Sequence, residues 1–550
     1  MASELANHFA AIDMGTNSFK MILIRTNPTG KFLSINRHKE KVVLGRGMNQ
    51  NKPTITLESQ QRAITALRKF THLLNNAQHV VIDPKFVATS AVREAVNKGE
   101  FLDKVSEAVN VKVDILSGEE EGRLIYLGVL QFLPVYDKTV LTVDIGGGST
   151  EFVVGKKGVV VFAVSLKLGH VSLTEMFGKC WEVGKMREYI RSVVFQSGLV
   201  EKVGEIGFEV VVGSSGTIRA IERAVWMGYA QDLMTGVFSH GEFRRNWKFS
   251  RNDLNNVVDN LCESDQKGGD DVRRNEFFKR RSEFILAGAV LLSEIFEILK
   301  IDEMEVSEFA LGEGVIAETL ARCCRDYDVN VNARWRSVVR LATRFNSDKR
   351  MKSASQAAAI AKEIFAGLRK YDEVADHPNL CMPSLGAKDL EYLEAASLLH
   401  NIGQFIGKKG YHKQSYHIIK NGDYLQGYSV EEVELIALLT RHHRKKFPRS
   451  DYSCLHFSVD KVKEKFIILC AIIRISVAVQ QCLHLTFQRL ETIDCPEGFK
   501  LVLSKLNDRT SLSNHVQLAV EDLEAELNLE LDQFQQVFKK KLSVVVSLSS

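Results

Sequence analysis

Proline is scarce in this chain, with 8 in 550 residues, and no tract of low complexity occurs, which excludes long disordered linkers. Long apolar runs are missing too. The longest, Phe466 to Val479, is interrupted by Arg474 and Ser476 and falls short of the ~20 residues of a membrane span, so it reads as a buried helix and no membrane partner is expected. The nine cysteines show no CxxC spacing, and their odd number leaves one unpaired under any full disulfide scheme. A reducing, cytoplasmic setting follows. Residues Met1 to Asn7 carry Glu4 and neither a basic nor an apolar segment, which argues against a secretory signal. A strong charge of one sign is also absent. The net charge of +4 excludes a surface that binds nucleic acid as a whole. No Walker A sequence is present.

What remains is an ordinary soluble composition, 45% hydrophobic and 25% charged, long enough for roughly three or four domains. One phrase stands out because it occurs twice, as Asp13-Met14-Gly15-Thr16-Asn17-Ser18 and, 131 positions later, as Asp144-Ile145-Gly146-Gly147-Gly148-Ser149. Each copy ends one apolar run and precedes another (Phe9 to Ile12, then Phe19 to Ile24; Val140 to Val143, then Phe152 to Val154), the pattern of a strand-turn-strand unit. Glycine tolerates positive φ and lets backbone N–H groups approach an anion. A carboxylate beside such a cradle repels phosphate unless a cation lies between them, so the pairing predicts a magnesium-bridged phosphate. A pair of ligand-free glycine hairpins is the alternative.

Around these phrases, β-rich runs near 8–13, 19–26, 31–36, 79–82 and 85–88, with a helix near 57–75, form one α/β layer. Runs at 139–144, 150–155 and 158–164 open a second. Duplicated α/β units place a ligand in the cleft between them. From Trp335 to about Gln480 the period is helical, followed by a strand at Phe499 to Ser504 and an amphipathic pattern from Val520 to Val545. That pattern reads as a long terminal helix, docked on its own domain or available for a homodimer.

Three further stretches carry candidate chemistry. Ser117-Gly118-Glu119-Glu120-Glu121-Gly122-Arg123 follows a strand and starts a helix, where Ser117 with Glu120 fits a capping box and glutamates suit the dipole. Their place at a strand end, near where the loops should converge, makes a general base plausible there as well. Arg93, just after the strand Lys85 to Val87, has the planar donors to fork a phosphate, although an unengaged surface arginine is the commoner case. Val212-Gly213-Ser214-Ser215-Gly216-Thr217 joins a strand to a helix at Ile218, whose N-terminus suits an anion. In the helical region His400-Asn401, His412, His417 and Arg441 to Lys446 suggest metal ligands at first. The residue after His400 is a neutral asparagine, and Ser476 and Val477 stand where a second aspartate is needed, so a structural or anion-attracting role is the better reading.

Taken in order, Asp13 to Ser18, Ala88 to Arg93, Ser117 to Arg123, Asp144 to Glu151 and Gly213 to Thr217 closely resemble the exopolyphosphatase/guanosine pentaphosphate phosphohydrolase (Ppx/GppA) family, over nearly the whole length. The resemblance implies an α/β fold: two ribonuclease-H-like, actin-like lobes (1–130 and 131–320), an all-α HD-like domain (333–482) and a small α+β domain (483–550). It implies release of terminal phosphate from inorganic polyphosphate or guanosine pentaphosphate. It also implies Glu121 as general base, Arg93 as the arginine clamping phosphate, and Asp144 and Glu151 as holders of Mg2+. Gly146, Gly147, Gly148, Ser149 and Thr150 would cradle phosphate, faced by Gly15, Thr16, Asn17 and Ser18, with Ser215 and Gly216 nearby. The chain departs from the family pattern at Gly312, where an arginine often precedes Glu-Gly, and at Asn401, which leaves the helical domain to shape or charge the substrate channel. A ligand sensor without turnover and an ATP-dependent kinase of the same superfamily remain alternatives.

Overall fold

The computed structural model describes residues 7–26, 32–48, 53–75, 81–177, 182–229, 247–266, 278, 281–324, 333–374, 385–422, 424–448, 460–482, 489–495, 498–506 and 527–549. The chain divides into two compact units, Met1–Asn332 and Ala333–Ser550.

The first unit holds two lobes with related sheets. In lobe I, β1 (Asn7–Met14), β2 (Ser18–Thr26) and β3 (Phe32–Lys41) form an antiparallel meander, and β4 (Lys85–Ala88) and β5 (Val113–Ile115) extend it in parallel, giving the order β3-β2-β1-β4-β5. Three helices accompany them: α1 (Leu57–Asn75), the short α2 (Ser90–Glu94) and α3 (Lys98–Val109). On α1 the buried residues Ala63, Leu67, Phe70 and Leu74 recur at helical spacing and close the lobe's core. Of the run expected near 79–82, residues 79 and 80 lie outside the described residues, and Val81 makes a single parallel bridge to His8.

After α4 (Gly118–Leu130), lobe II repeats the plan with β6 (Val140–Ile145), β7 (Thr150–Lys156) and β8 (Val159–Leu166), then α5 (His170–Phe177), α6 (Val183–Gln196), α7 (Leu199–Ile206), β9 (Val210–Ser214), α8 (Gly216–Trp226), β10 (Lys248–Ser250), α9 (Arg251–Gln266), α10 (Ile285–Ile298), β11 (Glu303–Ser307) and α11 (Leu311–Cys323). The sheet order is β10-β11-β9-β6-β7-β8, so β8-β7-β6-β9-β11 matches lobe I strand for strand, in sense as well as order. This is the expected actin-like pair of lobes.

Helix α4 does not stay with the sheet it leaves. Its Tyr126, Val129 and Leu130 pack with Val140, Val153 and Val212 of lobe II, while α11 lies against β1 and β2 of lobe I. A division at residue 130 therefore falls after a helix that serves the second sheet. The phrase Ser-Gly-Glu-Glu-Glu-Gly explains the fit: Gly118 and Gly122 share one helix face, where a Cβ would collide with Ser165 and stand 2.8 Å from Val153.

In the second unit, α12 (Ala333–Phe345), α13 (Asp348–Val374), α14 (Ala387–Leu399), a 3₁₀ turn (Ile402–Phe405), α15 (Tyr411–Asn421), α16 (Val430–His442) and α17 (Asp460–Cys482) precede β12 (Arg489–Cys495) and β13 (Gly498–Leu506). Of the amphipathic pattern expected as one helix from Val520 to Val545, residues 520–526 lie outside the described residues, and the remainder divides. Residues 527–538 are helical, and β14 (Lys541–Ser549) pairs in parallel with β13. The run Leu542-Ser543-Val544-Val545-Val546 suits a strand, and the preceding helix supplies the crossover that a parallel pair requires. With the long helix gone, its argument for a homodimer goes too. Among the described residues no helix is long and apolar enough to cross a membrane.

Candidate active site

The two glycine phrases are the turns of equivalent hairpins. Asp13 stands opposite Lys20 in the β1–β2 register, and Asp144 stands opposite Glu151 in β6–β7. Gly15 and Gly146 have the same reason to lack a side chain, since a Cβ on either would lie 3.0 Å from the carbonyl oxygen of Ser18 or Ser149. None of Gly15, Gly146, Gly147 and Gly148 has a positive φ, so the loops use the room glycine leaves and not its left-handed conformations. The turns meet across the cleft: a Cβ on Gly147 would sit 3.0 Å from Thr16, and one on Gly148 would sit 2.7 Å from the Ser90 hydroxyl.

One cavity is lined by Asp13, Gly15, Thr16, Asn17, Ser18, Glu121, Asp144, Gly146, Gly147, Ser149, Ser215 and Gly216. The remaining expected residues stand around it. Gly148 is pressed against lobe I, and the Thr150 hydroxyl donates to the Leu168 carbonyl. Glu151 lies beside Gly122, whose Cβ would be 3.7 Å from its own. Arg93, expected to clamp phosphate, donates from Nη1 to Glu121 Oε2 and to the Leu116 carbonyl, both at 2.9 Å. The structure thus gives Arg93 the carboxylate as its partner.

Glu121 comes to lobe II because α4 crosses over. Ser117 caps that helix by accepting the Glu120 N–H at 3.1 Å, but the reciprocal half of a capping box is not made. Glu120 turns to Arg123, which also pairs with Glu318. Burial lifts the Glu121 carboxyl well above its ordinary pKa, the nearby Glu151 adds to the effect, and Arg93 opposes it. Burial likewise pushes Asp144 up to about 6 against a bond from Ser214, and Glu151 up to about 7 with Asp144 as the second cause.

Such a cluster suits a cation. Ser149 and Ser165 both donate to Glu151 Oε1, at 2.7 and 2.8 Å, and Oε2 is buried with no hydrogen-bond partner. Asn17 Oδ1 is a second buried acceptor left unpaired. Oxygen donors in this number fit Mg2+, which takes one or two carboxylates and completes its shell with water and phosphate. Among the described residues no group of three or more His, Cys, Asp or Glu is placed to hold a metal ion.

Several cavity residues lie outside the sequence reading. Lys20 is 3.0 Å from Asp13, and Lys39, Arg219 and Arg281 line the cavity with it. His170 touches all three glycine phrases: its N–H donates to the Gly146 carbonyl, and its ring nitrogens lie 3.4 Å from Asn17 Nδ2 and Thr217 Oγ1. Burial, then Arg281, pull its pKa down to about 3, so the imidazole is neutral. The available signal was each basic residue's position near a strand end or helix start. The third phrase behaves as expected up to Ser214, which ends β9. Ser215 then caps α8 from a backbone φ of 129°, a conformation L-residues rarely adopt.

In the second unit, Asn401 is engaged structurally, accepting from Asn346 Nδ2 at 2.9 Å and donating to the Arg350 carbonyl at 3.0 Å. His400 and His443 meet edge to face with ring centroids 5.0 Å apart, and the His412 ring lies 6.4 Å from that of His443. Arg441 and Arg444 cover the rings of Tyr416 and Tyr411, while His417 packs on Tyr416.

The sequence profile of the Ppx/GppA phosphatase family matches residues 23–323, and that of Ppx/GppA phosphatase, domain III, matches residues 333–527. The guanosine-5'-triphosphate,3'-diphosphate pyrophosphatase of Photobacterium profundum is 29% identical over 450 residues, covering 80% of each chain. That of Pseudoalteromonas translucida is 28% identical over 456 residues, 82% of this chain and 83% of its own. The solved exopolyphosphatase from Cytophaga hutchinsonii matches with a TM-score of 0.50 at 25% identity, over 59% of this chain and 99% of its own.

Proposed function

The chain belongs to the Ppx/GppA phosphatase family, and from that premise we propose that it hydrolyses the terminal phosphoanhydride of inorganic polyphosphate or guanosine pentaphosphate. The observation that carries the reading is Glu121, which α4 delivers into the cleft between two facing glycine loops with Arg93 at 2.9 Å. Its pKa, raised by burial and by the nearby Glu151, makes it a stronger base than an ordinary carboxylate. Glu121 takes a proton from a water whose oxygen bonds to the terminal phosphorus. The bridging P–O bond breaks, and its electron pair leaves with the shortened chain. Arg93 holds the carboxylate in one orientation and keeps it ionised over a wider range of pH. Backbone amides of the facing glycine loops and the hydroxyls of Thr16 and Ser18 orient the terminal group. Asp144 and Glu151 would hold Mg2+, which supplies charge neutralisation for the phosphate oxygens when bound.

The names of the relatives support both substrates, one a guanosine nucleotide pyrophosphatase and the other an exopolyphosphatase. The test is phosphate release from long polyphosphate, guanosine pentaphosphate and ATP, with and without magnesium. Release from either of the first two without added nucleotide is expected. Glu121→Gln keeps the shape, removes the basicity and should cut turnover at least about a hundredfold. Turnover near wild type in that variant rejects the assignment.

A further inference from the structure

We propose that His170 is a positioning residue for phosphate release: as the Nδ1–H tautomer it sets the lobe I loop at Asn17 against the loops of lobe II, so that one terminal phosphate meets both. The proposal rests on the phosphohydrolase reading above for the reaction it serves.

His170 opens α5, and its backbone already belongs to the lobe II cradle. Its N–H donates to the Gly146 carbonyl at 3.1 Å, and the next two N–H groups, of Val171 and Ser172, donate to the Gly147 carbonyl at 2.9 and 3.2 Å. The ring then reaches the other two phrases. Nε2 lies 3.4 Å from Asn17 Nδ2 in lobe I, and Nδ1 lies 3.4 Å from Thr217 Oγ1 at the start of α8. An amide nitrogen donates and does not accept, so Nε2 is the bare nitrogen and Nδ1 carries the proton toward Thr217. The tautomer also decides what Asn17 offers. Its amide oxygen, buried and without a hydrogen-bond partner, stays available to a cation, whereas a reversed amide would spend it on the ring.

The surroundings fix both partners. Helix α10 comes so close that a Cβ on Gly288 would lie 2.5 Å from the Thr217 methyl and 3.4 Å from the His170 Cβ, and the Phe284 ring packs on the imidazole with centroids 5.8 Å apart. Asn17 is anchored in lobe I, where its carbonyl accepts from the N–H groups of Val42 and Val43 at 3.3 and 2.9 Å. Around this contact the lobes meet through an apolar cluster of Val43, Val171 and Phe284, and Arg46 reaches Glu283 at 3.0 Å. His170 makes the buried polar contact of that seam. With both ring nitrogens engaged it is no second base. Separations of 3.4 Å leave the contact room to shorten when phosphate draws the loops together, and a loop misplaced by about 1 Å costs on the order of a hundredfold in rate.

Calorimetric titration of the full chain with orthophosphate, run beside phosphate release from polyphosphate and NMR of the histidine ring nitrogens, tests the proposal. His170→Phe keeps an aromatic ring against Phe284 and removes both ring contacts. Orthophosphate affinity should fall about tenfold, with the melting temperature within about 4 °C of wild type, and turnover should fall about tenfold to a hundredfold. His170→Gln should recover most of both losses, because its amide oxygen accepts where Nε2 does. In the wild-type protein the ring resonances that disappear in His170→Gln should report the Nδ1–H tautomer. Wild-type phosphate affinity in His170→Phe, no recovery in His170→Gln, or an Nε2–H tautomer overturns the role. If His170→Phe does not fold, the tautomer and the affinity of His170→Gln decide it. If the wild-type protein binds orthophosphate but releases none from either substrate, the hydrolase reading fails, and His170 is still decided by the binding comparison and the tautomer.

Discussion

Lys20 and Glu151 occupy the same register position in the two hairpins: Lys20 faces Asp13 across the first, and Glu151 faces Asp144 across the second. The duplication therefore places an internal ammonium in one lobe and an unpaired carboxylate oxygen in the other. Lobe I arrives with its aspartate neutralised, whereas lobe II is left to acquire a cation. This asymmetry turns two similar phosphate loops into one site with two different sides.

Lys20→Met should leave Asp13 without its partner and remove a charge that holds the Asp144 pKa down. The expected result is a roughly tenfold to hundredfold fall in kcat/KM for polyphosphate, with the acid limb of the pH profile moved to higher pH. An unchanged profile would remove Lys20 from the electrostatics of the site.

Arg93→Met should also move that limb to higher pH. Arg93 favours the ionised form of Glu121, so its loss makes the base hold its proton to higher pH. The check is kcat/KM across pH with a single substrate. A limb that stays in place or moves to lower pH contradicts the pairing of Arg93 with the active carboxylate.

Stability should depend on pH in a definite sense when no metal is added. Asp144 and Glu151 are raised in the folded state, to about 6 and about 7, from ordinary values of 3.8 and 4.5. The folded chain therefore binds more protons than the unfolded chain between those limits. The stability from these groups is fully present below the ordinary values and is lost as pH rises through 6 to 7. Melting temperature should fall from about pH 5 to about pH 8, and added magnesium should raise it more at the upper end, because the ligands must be ionised to bind. A magnesium effect independent of pH would speak against these carboxylates as the ligands.

Arg474 is 2% exposed and binds Glu530 through two bonds of 2.7 Å, with the carbonyls of His442 and Lys445 each at 3.0 Å. Arg474→Met should destabilise the second unit by about 3–5 kcal/mol, since it strands a partly buried carboxylate and two carbonyls. Urea unfolding measures this. A double variant with Glu530→Gln should recover part of the loss, whereas purely additive losses would mean that the pair does not act as a unit.

How much of this was legible depends on the range of the interactions. Asp13 with Gly15 and Asp144 with Gly146 belong to hairpins whose partners lie within ten residues, so the phrase carries its own geometry. The purpose of glycine there is hidden from the sequence, because close approach of chains leaves no mark on local conformational preference. The terminal pattern misleads for a related reason. Alternation in Leu542 to Val546 overlaps a helical period, and only β13, some forty residues earlier, supplies the edge that makes it a strand. Arg219, Arg281, Lys20 and His170 escape notice because nothing beside them in sequence distinguishes them from surface polar residues.

The alternation of strands with helices in each lobe and the duplicated glycine hairpins were determined by the sequence alone, since hydrophobic period and turn chemistry act over a few residues. The tertiary structure decided which groups share a cavity. It carried α4 across to lobe II, set Glu121 against Arg93, and brought Arg281 over Gly216. Those outcomes follow from packing between segments far apart in the chain, where shape and buried charge, and not local preference, fix the partner.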